Sequence, residues 1–302
     1  MPVTFLSPTR RQAYGRFPTP AADEVLDALC HLDAFDRMRI AALAGPANAL
    51  GYALQLVAVR ATGRFPDQPC DVPAIVHRRL ARALAVAPID DLGQAYGAHT
   101  RRRHRHEIVA AYGYRDLRDA ACARGFVAWL LRRAWLGDAR ANRLFDAAVE
   151  RLVAQRILLP GVTTLERLVA RVVRRAEDRA ARRIDAALDK GHRAELDRLL
   201  VPEGDGIAPL DRLHERPARL SSAGIGHALD IIDRIQAVAC HDLDLSAVPT
   251  RRVLRLAQRT AILPRPTLAA LRPAHRRAAL VAFLHVRALD ARFSRFWVGG
   301  AH

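Results

Sequence analysis

Apolar residues that recur at steps of three and four narrow the fold of this chain most. Leu165, Leu168, Val169, Val172, Val173, Ala176, Ala180, Ile184 and Leu188 form one such stripe, the signature of an amphipathic helix. Thr163 and Glu166 fit a capping box at its start, and Gly191 fits a stop. The predicted helix covers 163–190 and would run roughly 39 Å at 1.5 Å per residue, long enough to bridge two domains. Arg167, Arg171, Arg174, Arg175, Arg179, Arg182 and Arg183 mostly occupy its other faces.

The same period places helices near 21–31, 34–43, 47–62, 72–86, 101–112, 118–136 and 140–156, and later over 249–261, 265–271 and 273–290. Ser222 could cap a further helix with Ile225, Leu229, Ile232, Ile235 and Ala239 on one face. Asp71 before Val72-Pro73 reads as a start, and Gly63 and Gly113 read as stops. Strand signals are nearly absent. The expected fold is all-α: a multi-module helical protein with helix-turn-helix-like units joined by a long helix. The expected modules are 1–160, the bridging helix and linker 161–204, and 205–302. Val201-Pro202-Glu203-Gly204-Asp205-Gly206 is the best linker.

Charge says what such a fold would meet. Forty-eight basic residues face 31 acidic ones, for a net charge of +17, and Lys190 is the only lysine. A GC-rich coding sequence would favour Arg over Lys, but it does not account for the excess of positive charge. A basic folded surface attracts polyanions and releases their counterions. Guanidinium adds a planar fork that matches phosphate oxygens and the guanine edge.

Arg101-Arg102-Arg103-His104-Arg105-His106 is the densest positive cluster. With Thr100 as cap, Arg101 to His104 would form the first helical turn, where free backbone donors also face an anion. A protonated histidine would add contact. A solvated helix end without a partner is the alternative. Tyr112, Tyr114 and Arg115 follow, as phosphate contacts or as packed corner residues. Arg60 and Arg64 could touch phosphate or complete a helix dipole. Arg251, Arg252, Arg255 and Arg259 recur on one side of a helix, with Val253, Leu254 and Ala257 on the other, as a DNA-facing or simply an exposed face. Trp129 and Trp135 read as core.

No catalytic, metal or cofactor site is expected. His99, His104 and His106 lack carboxylate or thiol partners. The Asp242 and Asp244 pair lacks a third acid. No Walker loop, dinucleotide glycine turn or nucleophile elbow occurs. Cys30, Cys70, Cys122 and Cys240 show no paired spacing and read as small buried residues of a reducing compartment. Neither a signal peptide nor a membrane span is expected, so the expected location is the cytoplasm.

Several strings, in order, resemble one family. They include Phe5-Leu6-Ser7-Pro8, Tyr14-Gly15-Arg16-Phe17 and Asn48 to Leu56. Thr100-Arg101, His104, Glu107-Ile108 and Ala111-Tyr112-Gly113-Tyr114-Arg115 follow, then Leu158-Leu159-Pro160-Gly161 and Leu165 to Val169. Val201-Pro202-Glu203-Gly204, Leu210 to Leu213 and Leu243 to Pro249 complete the series. Together they resemble the N-terminal region of the transposases of Tn-three-type replicative transposons. The likeness runs to about Leu289 and departs from the family's pattern at Arg103 and Val109. It implies helical domains that bind the terminal inverted repeats as double-stranded DNA, with self-association on DNA compatible with that role. It also implies that the two Asp and one Glu that hold metal for strand cleavage belong to a later, RNase-H-like domain not included here. The segment 293–302 does not resemble the family's continuation, which suggests a truncated copy. The expectation is a DNA-binding chain without catalysis of its own. Two rival readings are a basic helical adaptor for a protein partner, and part of an active transposase whose catalytic domain lies elsewhere.

Overall fold

Seventeen residues that are apolar almost all round need a site with no solvent side, and Pro46–Thr62 has one. This helix starts on Pro46, a residue suited to a first helical turn because its missing N–H costs nothing there. It buries Leu50, Tyr52, Ala53, Leu54, Leu56, Val57, Ala58 and Val59. The computed structural model in which this is seen describes residues 4–17, 23–87, 89, 91–137, 140–214, 233–238 and 243–299. The chain forms two compact units: one of residues 1–130 and 140–170, the other of 131–139 and 171–302.

In the first unit the elements are α1 (Pro8–Ala13), α2 (Asp23–Leu29), α3 (Ala34–Ala41), α4 (Pro46–Thr62), a 3-10 turn Pro69–Asp71, α5 (Ala74–Ala83), α6 (Leu92–Ala95) and α7 (Ala98–Tyr112). Helices α8 (Ala120–Leu136), α9 (Ala141–Ala154) and α10 (Val162–Ala186) follow, with α8 and α10 contributing residues to both units. Helix α4 is the axis of this unit and touches α3, α5, α6 and α7. Gly63 and Gly113 close α4 and α7 at φ of 71° and 67°, the left-handed conformation that costs glycine little. Among the described residues there is no β-strand. The one extended pairing is an isolated bridge between Arg115 and Ile157.

The second unit holds α11 (Lys190–Arg198), α12 (Pro209–His214), a helical stretch at 233–237, α13 (Thr250–Thr260), α14 (Arg265–Ala269) and α15 (Pro273–Gly299). Helix α15 buries every residue from Ala278 to Leu284 and packs along α13 and α11. Ile184, Leu196, Leu210, Leu213, Val253, Leu268 and Phe283 belong to its core.

Four expectations need correction. Helix α10 ends at Ala186 and not near 190. Gly191 lies inside α11, which Asp189 caps by accepting from the His192 amide. Glu166 makes no capping box with Thr163, because its carboxylate is turned into the core. There it accepts the amides of Phe5 at 2.8 Å and Leu6 at 3.1 Å and pairs with Arg11. The exposed segment 201–206 does not separate two cores, since Leu196 and Leu199 before it share one cluster with Leu210 and Leu213 after it. Cys30 is buried as expected, but Cys70 is exposed. Cys240, Asp242 and the expected helix from Ser222 to Ile232 lie outside the described residues.

Candidate nucleic-acid interface

Helix α7 sorts its basic cluster by helical phase. His104, Ile108 and Tyr112, four residues apart, are buried on one side. Arg102, Arg103 and His106 are exposed on the other. Arg101 and Arg105 lie on the flanks. Arg101 donates to the carbonyls of Gly93 (3.4 Å) and Tyr96 (3.1 Å), and Arg105 to that of Pro66 (3.0 Å). Arg105 also lies over the Phe65 ring at 5.2 Å. Arg103 pairs one turn on with Glu107 at 3.5 Å.

Two sequence readings of this helix change. It begins at Ala98 with Gly97 as cap, and the Arg101 amide already bonds the Gly97 carbonyl. The free donors of the first turn therefore precede the arginines, and Thr100 is not the cap. His104 is not a surface contact. Burial holds its imidazole below the ordinary histidine range, and its Nδ1 lies 2.7 Å from the Tyr96 hydroxyl, itself 2.6 Å from Gln55 Nε2.

Arg60 is half-buried and bonds Asp36 with Nη1 at 2.7 Å and Nη2 at 2.8 Å. Tyr112 donates to the same carboxylate at 2.7 Å and lies under Arg60 with its ring centroid 5.1 Å away. Burial alone would push the Asp36 carboxyl up. The bonds from Arg60, Tyr112 and the Asp33 amide outweigh it and hold Asp36 below the usual carboxylate range. Tyr112 is thus a core residue, and Tyr114 packs against the same cluster. Arg64 crosses Gly15 and lines a cleft of about 370 Å³ with Tyr14, Arg16, Phe17 and Phe65. Arg115 is exposed, within 3.4 Å of the Gln155 carbonyl.

Helix α13 shows the same sorting in the second unit. Arg252 is only 6% exposed. Its Nε donates to the Trp135 carbonyl at 2.9 Å, its Nη2 to that of Ala134, and its guanidinium lies over the Trp135 ring at 5.3 Å. It caps the end of α8, and burial pulls its pKa down, so the expected outward contact is overturned at this residue. Arg255 is half-buried, and burial disfavours its charge. Arg251 and Arg259 face solvent. The expected DNA-facing arginines of this helix therefore reduce to Arg251 and Arg259, with Arg255 at their edge.

A further basic face stands out in the structure, on the long helix whose arginines the sequence places opposite its apolar stripe. Along α10, Arg171, Arg174, Arg175, Arg179, Arg182 and Arg183 are all exposed. Their spacing of three and four was the available signal. Among the described residues no three His, Cys, Asp or Glu side chains come together to hold a metal, and no helix is long and apolar enough to cross a membrane.

Residues 5–172 match the family described as Domain of unknown function (DUF4158). The chain is 30% identical over 293 residues to the transposase for transposon gamma-delta of Escherichia coli K12, covering 96% of the chain and 29% of that protein. It is 27% identical to the transposase for transposon Tn2501 of Escherichia coli, over 91% of the chain and 29% of the relative. With the transposase for transposon Tn501 of Pseudomonas aeruginosa it shares 28% identity over 79% of the chain and 24% of the relative. The chain thus spans under a third of the length of these relatives. Fold and comparisons together define an all-helical protein related to transposon transposases. The chain belongs to the DUF4158 family, and the resemblance to Tn-three-type transposases holds across both units.

Proposed function

We propose that this chain recognises the terminal inverted repeats of a transposon as duplex DNA, within a transposition machinery, and performs no strand chemistry itself. The observation that carries this reading is the outward group Arg102, Arg103 and His106 on α7, a helix pinned to its core by His104, Ile108 and Tyr112. Rigid presentation suits recognition, because phosphate contacts fix register while a few arginines read guanine in the major groove. The second unit offers Arg251 and Arg259. The transposase relatives supply the biological setting.

A gel shift with a terminal-repeat duplex against a scrambled duplex tests the reading. Preference for the repeat is the expected result, and equal binding overturns it. Incubation of the purified chain with magnesium and a repeat-ended duplex should yield no cleaved or joined strands. The adaptor reading draws on Phe35 and Met38, which are 43% and 59% exposed on α3. It predicts a protein partner held with indifference to DNA.

A further inference from the structure

We propose that the outward face of α10 from Arg171 to Arg183 is a phosphate rail. On it a strand of duplex DNA is held whatever its sequence. This deepens the DNA-binding reading, on which it rests for its partner, by adding a contact separate from end recognition.

The exposed residues of this face are uniform in sign. Its exposed side chains in this span are Arg171, Arg174, Arg175, Arg179, Arg182 and Arg183, with no exposed acid among them. The acids of the same helix are half-buried or engaged, although Asp178 shares the face, one turn from Arg174, Arg175 and Arg182. Glu177 is half-buried, Asp178 bonds His275 at 2.9 Å, and Asp185 pairs with Arg277 at 3.5 Å and Arg193 at 3.6 Å. Among the described residues no carboxylate pairs with Arg171, Arg174, Arg175 or Arg182. Arg179 and Arg183 lie over the Trp135 ring at 4.5 and 5.3 Å, and Arg183 is fixed further by the Ala247 carbonyl at 2.6 Å.

Like charges three and four apart on a helix repel each other, and this row repeats that arrangement along its length. A polyanion relieves it. The row spans about 18 Å at 1.5 Å per residue. One DNA strand presents a phosphate about every 3.4 Å of helix axis, so about five phosphates match six guanidiniums over that length. A rigid helix with two arginines held on an indole presents the charges already extended, which lowers the ordering cost of the contact. Phosphate contacts of this kind position a protein without reading bases.

The experiment is a salt series on the full chain with two duplexes, terminal-repeat and scrambled, for the wild type and for the combined variant Arg171→Gln, Arg174→Gln, Arg175→Gln, Arg182→Gln. Each phosphate contact contributes about 0.9 to the slope of log affinity against log salt. The variant should lose roughly three to four units of slope on both duplexes, with the ratio of repeat to scrambled affinity unchanged. Lysine at the same four positions should restore the slope. Unchanged slope and affinity in the glutamine variant would overturn the rail. So would a loss confined to the terminal repeat, because the face would then read sequence. If the combined variant fails to fold, Arg171→Gln and Arg175→Gln singly should each remove about one unit of slope, and no change in either overturns the proposal. Failure of end recognition shows separately, as equal binding of the two duplexes by the wild type, and leaves the slope test on scrambled DNA intact.

Discussion

Asp36 and Arg60 meet through two hydrogen bonds of 2.7 and 2.8 Å, and the Asp36 carboxylate is fully shielded from water. The pair joins the start of α3 to the last turn of α4, with the Tyr112 hydroxyl as a third member. Removing one partner strands the other as an unpaired charge. Arg60→Ala should therefore cost about 3–5 kcal/mol of stability, measured by urea unfolding. Its affinity for DNA, corrected for the folded fraction, should stay at the wild-type level. A surface role for Arg60 would show the reverse pattern.

Acid should unfold the first unit in two stages. His104 sits below its ordinary value because of burial, so the unfolded chain binds its proton first. Stability is complete above the unfolded histidine value, about 6.5, and falls as pH drops below it. Asp36 is also depressed, so its contribution is present above the unfolded aspartate value, about 3.9, and is lost as pH falls further. His104→Asn should flatten the upper stage in urea midpoints measured from pH 8 to pH 3. His214, also depressed by burial, lies in the second unit, which should lose stability over the same upper pH range, and His214→Asn should flatten that loss.

The α7 arginines should separate into two kinds. Arg102→Ala with Arg103→Ala should weaken binding to DNA and reduce the salt slope by up to about two units, with the melting curve unmoved. Arg101→Ala and Arg105→Ala remove donors to backbone carbonyls and should chiefly lower the melting temperature. A uniform effect of all four on affinity would mean that the whole cluster is surface.

Arg252→Ala should act on structure. It uncovers the Trp135 and Ala134 carbonyls at the end of α8 and leaves a hole beside the indole. The expected loss is about 1–3 kcal/mol, the cost of buried acceptors left without donors. A shift in Trp135 emission in the folded protein should accompany it. Unchanged stability with reduced DNA affinity would restore Arg252 to the interface.

The sequence shows the local design of this fold and hides its long-range pairings. Gly63 and Gly113 announce the ends of α4 and α7 because a left-handed cap needs a particular residue. The apolar stripe of α10 marks its buried side as far as Ile184. The inward arginines are different. Arg60 finds Asp36 24 residues away, and Arg252 finds Trp135 117 residues away. Nothing in either arginine's own helix reveals such a partner. Arg252 follows exposed Arg251 directly, and one step of about 100° around a helix moves a side chain from solvent to core. The α10 face was legible as a spacing, but not that Asp178 and Asp185, which share it, would be half-buried and engaged by His275, Arg193 and Arg277.

Glu166 carries a consequence for anyone who shortens this protein. The amides of Phe5 and Leu6 and the guanidinium of Arg11 are its partners inside the first unit. Deleting the first eleven residues would strand a negative group in an oily interior more than 150 positions downstream. The opening segment thus works as a latch, and a tag or fusion at the amino end should leave it room to close.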